Sequence, residues 1–284
     1  MTKVYARFPA TVAAPMLLAM ARQPPIQGWS DNLRLAALRR AGSLDRIIGG
    51  TACLLQGWLR RAVCRTVPSR LRDEATRRVY SHAYGYEPGG HEFEKGLFSW
   101  EEEFLASVEA GGLVLVAGAG GGRQLSGLAQ LRLDALAFEP SELVAAAQTT
   151  ATGLGQRPAR RASHHDLVRA AQGEGPLADL PDEPLAAVVF GWGSISHVTA
   201  RQDRIDVLTA LRQLAPTAPV LYSFIHRGPD DRPFSDRGRL RYDPGIGFFA
   251  DLQPSDVDDE ARAAGYTVKR MRVEPFGHAW LCPE

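Results

Sequence analysis

Most of the residues best suited to chemistry lie beyond Gly111, and most of them follow short apolar runs. Val114-Leu115-Val116-Ala117 leads into Gly118-Ala119-Gly120-Gly121-Gly122. Glycines here let a backbone turn sharply and meet a ligand with no Cβ in the way. The spacing is G-x-G-x-G over Gly118, Gly120 and Gly122. The G-x-G-x-x-G of nicotinamide sites fails, because its last place falls on Arg123 counted from Gly118 and on Leu125 counted from Gly120. Glu139 ends the next apolar run, roughly 20 residues past the turn, where a carboxylate can accept both hydroxyls of a ribose. The other reading of Glu139 is a solvated acid ahead of a helix. Asp166 and Leu167 close Ser163-His164-His165-Asp166-Leu167, where a third strand should end and an acid would reach the amino edge of an adenine. For Asp166 alone, an ordinary loop acid is the competing reading.

Two histidines are candidate bases. His197 closes Gly191-Trp192-Gly193-Ser194-Ile195-Ser196-His197, and His226 follows Val220–Ile225. Both come after apolar strands, at the ends where open α/β sheets hold their ligands, and imidazole suits proton transfer near neutral pH. Alternatively, His197 only opens the next helix and Trp192 fills core. Tyr80-Ser81-His82-Ala83-Tyr84-Gly85-Tyr86 is dense in aromatics, whose faces attract cations. Tyr84 and Trp192 are the candidates for substrate contact, against a bland reading as packing residues. His164-His165 has no His, Cys or carboxylate companions at zinc spacing, so no metal is expected.

The elements that must position these residues alternate. Leu113–Ala117, Ala135–Phe138, Ala186–Phe190 and Val220–Ile225 read as buried strands, and Leu125–Leu131, Glu142–Thr150 and Asp203–Leu214 as the helices between them. Ser141 is placed to cap the second of these helices. This rhythm implies a parallel sheet covered on both faces. Ser255 and Asp258 have capping-box spacing for a helix ending at Gly265. Tyr266–Val273 and Gly277–Leu281 are then strands with only three residues between them. A parallel crossover needs a dozen or more, so this last pair must be antiparallel. Arg227–Gly247 reads as a charged loop.

Before Pro88-Gly89-Gly90 the apolar spacing is helical, with Leu33–Leu38 and Ile47–Leu59 as the clearest runs. We therefore expect a helical cap over 1–90 and an α/β domain over 91–284. The arginines of 60–78 read as a solvated helix face or a binding patch. With 33 basic and 32 acidic residues the formal charge is +1, so no global field points to DNA or a membrane surface. Three cysteines without CxxC spacing fit a reducing compartment. The apolar stretch Phe8–Ala21 is broken by Pro9 and Pro15, and no run spans a membrane. A cytoplasmic chain is expected.

The glycine turn, Glu139, Asp166 and the terminal hairpin together resemble the class I S-adenosylmethionine-dependent methyltransferases over Trp100 to Leu281. The resemblance implies a Rossmann-like, mostly parallel sheet with an antiparallel C-terminal strand and helices on both faces. It implies S-adenosyl-L-methionine as cofactor, with Gly118, Ala119, Gly120 and Gly122 against its methionine part. Glu139 would hold the ribose, Asp166 and Leu167 would lie near the adenine, and Trp192 would flank the site. One departure is Val116, where many members carry an acid two places before the first glycine. The segment after Phe190 lacks the Asn/Asp-Pro-Pro-aromatic tetrapeptide of many amino-directed nucleic-acid methyltransferases. The expected substrate is a small molecule methylated at oxygen or nitrogen. Protein or RNA substrates, or a non-catalytic binding module, are the alternatives.

Overall fold

Five successive apolar residues can all be buried in a strand only when the sheet is covered on both sides. Leu113–Ala117, strand β1, is buried throughout and lies inside such a sheet. The computed structural model describes residues 58–60, 62–81, 84–180, 184–226, 240–274 and 276–284. Around β1 the chain forms α1 (Ser69–Tyr80), α2 (Ser99–Leu105), α3 (Arg123–Gln130), β2 (Asp134–Glu139), α4 (Val144–Gly153), β3 (Arg160–Arg161), α5 (His165–Ala170) and β4 (Leu185–Phe190). It continues as α6 (Arg201–Leu214), β5 (Val220–Phe224), β6 (Leu240–Asp243), β7 (Gly247–Ala250), α7 (Pro254–Ala263), β8 (Tyr266–Arg272) and β9 (Gly277–Pro283).

Seven strands make one sheet in the order β3-β2-β1-β4-β5-β9-β8. β1 to β5 pair in parallel, whereas β9 runs antiparallel to both β5 and β8. The short link after Val273 forces that reversal, as its length requires. Alternate residues of β1 serve opposite faces. Val114 and Val116 pack with Phe104, Leu125, Leu128 and Ala147 from α2, α3 and α4. Leu115 and Ala117 pack with Leu167, Val207, Leu211 and Val257 from α5, α6 and α7.

Each face also buries an arginine–glutamate pair. Arg204 of α6 meets Glu260 of α7 through Nε–Oε2 at 2.9 Å, and Tyr222 Oη donates to the same carboxylate at 3.3 Å. On the other face Arg123 of α3 makes a two-pronged bond to Glu101 of α2, both arms 2.7 Å. Glu101 Oε2 also accepts the Phe98 N–H at 2.8 Å and so closes the start of α2.

Several expectations are corrected. The C-terminal helix begins at Pro254, with Asp256 accepting the Gln253 N–H, rather than with a Ser255/Asp258 box. Proline at the first helical position has no N–H to satisfy, which sets the start two residues earlier. The described end of the expected loop, 240–247, belongs to a β-hairpin that runs on to Ala250. Trp58 and Leu59, at the end of the apolar run Ile47–Leu59, are exposed rather than packed as an apolar helix face would be. Leu33–Leu38, most of Ile47–Leu59, Phe8–Ala21 and residues 227–239 lie outside the described residues. The compact unit that contains the sheet also contains α1. Among the described residues no helix is long and apolar enough to cross a membrane, and no group of three His, Cys, Asp or Glu residues is placed to hold a metal ion.

Candidate functional site

A cleft of about 820 Å³, partly open to solvent, lies at the carboxyl ends of β1, β2 and β4. One wall is the glycine turn. Gly118, Gly120 and Gly122 have φ of 76°, 56° and 99°, so the G-x-G-x-G spacing marks three backbone positions that a side chain would strain. Gly121 is needed for a different reason: a Cβ there would collide with the Tyr86 carbonyl oxygen, because the turn at Tyr84–Tyr86 crosses directly over it. Gly118 N and Ala119 N both donate to Phe138 O at 3.0 Å, which ties the turn to the end of β2.

Glu139 is the floor of this wall and is 6% exposed. Its Oε2 accepts the Gly120 N–H at 2.9 Å, and its Oε1 accepts the Ser141 N–H at 2.9 Å and the Ser141 hydroxyl at 2.6 Å. A carboxylate has about four lone-pair positions, so one remains for a ligand hydroxyl. Ser141 is thus held mainly by Glu139, although its Oγ also accepts the Leu143 N–H at 3.3 Å ahead of α4.

The opposite wall comes from α1 and the turn after β4. Thr76, Arg77 and Tyr80 of α1 line the cleft, with Tyr86, Glu92 and Phe93 from the segment that follows. Tyr80 Oη lies 2.9 Å from His197 Nε2, and His197 Nδ1 lies 2.8 Å from Phe248 O in β7. A carbonyl only accepts, so Nδ1 carries the proton and Nε2 presents its lone pair to the Tyr80 hydroxyl. Desolvation lowers the His197 pKa, opposed by its bond to Phe248. Desolvation raises the Tyr80 pKa well above its ordinary value, helped by the negative charge available at Tyr86, Glu139 and Asp243. Both groups are therefore neutral. Burial also pushes the Tyr86 hydroxyl up to about 12, with Glu92 adding to the shift.

His164 sits beneath the turn, stacked on Phe190 with centroids 5.6 Å apart. Ser194 Oγ donates to Ala117 O at 3.0 Å, so at 3.3 Å it accepts from His164 Nε2. Burial lowers the His164 pKa to about 3, with His197 and His165 contributing. It is a permanently neutral floor residue. Trp192 lines the cleft from an aromatic group in which Phe276 and Phe98 meet it edge-on at 4.7 and 5.6 Å.

The structure therefore brings Gly118, Ala119, Gly120, Glu139, Trp192 and His197 to one cleft. It leaves others outside. Gly122 stands behind the turn as the residue that starts α3. Asp166 is not at a strand end: β3 stops at Arg161, and the Asp166 carboxylate turns back to accept the Ser163 N–H and hydroxyl at 2.8 and 2.9 Å, opening α5. Leu167 is fully buried core. His226 is off the cleft wall because the chain past β5 stays paired, Leu252 N–H to Ile225 O, and its Nδ1 bonds Leu252 O at 2.9 Å. Tyr84 belongs to the turn Tyr84–Tyr86 and its side chain is outside what the structure describes; Tyr80 and Tyr86 line the cleft. Val116 is fully buried beneath the turn, and the second carboxylate on the cleft wall is Glu92. Sequence reasoning missed Glu92, Arg123 and His164, whose only signal was proximity to recognised motifs.

No protein-family model and no curated protein matches the chain. Solved structures do. The CcbJ methyltransferase from Streptomyces caelestis superposes with a TM-score of 0.51 at 13% identity, over 72% of this chain and 99% of that one. An S-adenosylmethionine-dependent methyltransferase from Clostridium acetobutylicum gives 0.50 at 8% identity, over 68% and 89%. With the sheet order, the reversed β9 and the glycine turn after β1, the chain has the fold of the class I S-adenosylmethionine-dependent methyltransferases.

Proposed function

We propose that the protein is an S-adenosylmethionine-dependent methyltransferase acting on a small molecule at oxygen or nitrogen. The observation that carries this reading is the pairing of a glycine-rich turn, Gly118–Gly121, with the Glu139 carboxylate in one cleft. Backbone at glycine, with only the Ala119 methyl beside it, suits the close approach of an amino-acid tail, and a carboxylate with a free lone pair suits a ribose hydroxyl. S-adenosylmethionine supplies a methyl group on a sulfonium, ready for displacement. Tyr80, Tyr86, Phe93 and Trp192 offer aromatic faces to a cation of that kind. The residues present fit the group.

The protein's contribution is then mostly orientation. Holding two reactants in line contributes several kcal/mol and as much as ~7–11 in ideal cases. Glu139 and the turn fix one partner. Trp192 and α1 confine the other, while Arg77, Glu92 and Thr76 mark the polar edges of the space left for it. Calorimetry tests the reading. S-adenosylhomocysteine should bind and NAD should not; binding of NAD alone would overturn it.

A further inference from the structure

We propose that Tyr80 is a catalytic residue that takes the proton from an aromatic hydroxyl acceptor, with His197 acting through it as the proton's destination. The inference rests on the methyltransferase reading and adds the acceptor class. Three segments converge to make the pair: α1, β7 and the turn after β4. Thr76 Oγ1 accepts the Phe248 N–H at 2.9 Å, docking α1 on β7. Phe248 O then fixes the His197 ring at 2.8 Å, and the ring aims Nε2 at Tyr80 Oη at 2.9 Å. His197 has spent Nδ1 on the backbone and Nε2 on Tyr80, so it has no nitrogen left for an acceptor. Tyr80 is the member of the pair with capacity to spare, since its oxygen has lone pairs beyond the proton it donates. Both rings line the cleft.

The step balances. The acceptor oxygen forms its bond to the methyl carbon as the carbon–sulfur bond breaks toward sulfur, leaving a neutral thioether. The acceptor proton passes to Tyr80 Oη while the Tyr80 proton passes to His197 Nε2. The positive charge that was on sulfur ends on the imidazolium, which then releases its proton to solvent. Tyr86, Glu139 and Asp243 act on Tyr80, and the titratable neighbour of His197 is His164, which burial holds neutral. Burial keeps His197 a weak base. A weak sink matches a hydroxyl that is itself acidic, such as a phenol, and not an alkyl alcohol. The aromatic rings of Tyr86, Phe93 and Trp192 suit a flat ring of that kind.

The test uses the full chain with 4-nitrophenol, whose phenolate is coloured. S-adenosylhomocysteine is bound first, by calorimetry; if it does not bind, the methyltransferase reading falls. In the bound complex, nitrophenol should then ionise below its solution pKa. Tyr80→Phe should abolish that signal with unchanged S-adenosylhomocysteine affinity. His197→Asn, which keeps a donor for Phe248 O, should abolish it too. With S-adenosylmethionine, methyl transfer to the same phenol should fall ~10²–10⁴-fold in each variant. Nitrogen-15 spectra of the wild-type imidazole should show Nδ1 protonated and Nε2 as acceptor. Absence of nitrophenol ionisation in the wild-type complex, equal ionisation in Tyr80→Phe, or the opposite tautomer would overturn the assignment while leaving cofactor binding intact.

Discussion

The two walls of the cleft are built on different principles. The turn wall is local. Glu139 reaches Gly120 across 19 residues and Ser141 across two, and both ends hang from adjacent parallel strands β1 and β2. The wall opposite is assembled over long distances: Tyr80 to His197 spans 117 residues, and Thr76 to Phe248 spans 172. A wall fixed by strand pairing is preorganised whenever the sheet is folded. A wall made of one helix, one hairpin and one imidazole depends on docking, and docking has its own equilibrium. The difference teaches where affinity and where reaction should reside: ligand binding on the strand-built wall, proton handling on the docked one.

The comparison can be broken most severely through the element that backs the turn wall. Glu101→Ala leaves Arg123 buried without its partner, also losing the support that α2 gives the turn. Stripping one partner from a buried pair costs about 3–5 kcal/mol, to be read from denaturant unfolding. A loss below about 1 kcal/mol would show that α2 does not anchor the turn. Next in size is Glu139→Ala. Hydrogen bonds to a charged group contribute about 1.5–3 kcal/mol, so S-adenosylhomocysteine affinity should drop by one to two decades in a folded protein. Unchanged affinity on titration would place the ligand's contacts on the other wall.

Thr76→Val addresses that other wall alone. It strands the buried Phe248 N–H, at a cost of about 1–3 kcal/mol. Amide exchange at Phe248 should accelerate while S-adenosylhomocysteine affinity holds; parallel loss of affinity would mean that the two walls are one unit. The last test concerns pH. His164 is held neutral by burial, its pKa lowered to about 3. Its contribution to stability is fully present above the ordinary histidine pKa near 6.5 and is lost as pH falls from there toward 3. The slope cannot exceed about 1.4 kcal/mol per pH unit for one proton. His164→Phe should flatten thermal stability between pH 6 and 4, roughly the middle of that window, and an unaltered slope would assign the acid sensitivity to other groups.

What the sequence determined by itself is whatever depends on neighbours along the chain. Apolar runs fixed by burial on both faces marked β1, β2, β4 and β5. A link of only a few residues forced β8 and β9 antiparallel, and glycine spacing marked the positive-φ positions of the turn. Glu139 was legible because the strand that carries it also places it. The docked wall was not legible. Which of two histidines faces the cleft was decided by Leu252 pairing with Ile225 and by Phe248 reaching His197, contacts that no local pattern encodes. Asp166 was misplaced for a related reason. A two-residue β3 ends too soon to carry it to a strand end, and its carboxylate finds a nearer partner in the Ser163 N–H. Tyr80 acquired its partner only through the tertiary structure, because a hydrogen bond across 117 residues exists only once α1, β7 and the turn after β4 have packed together.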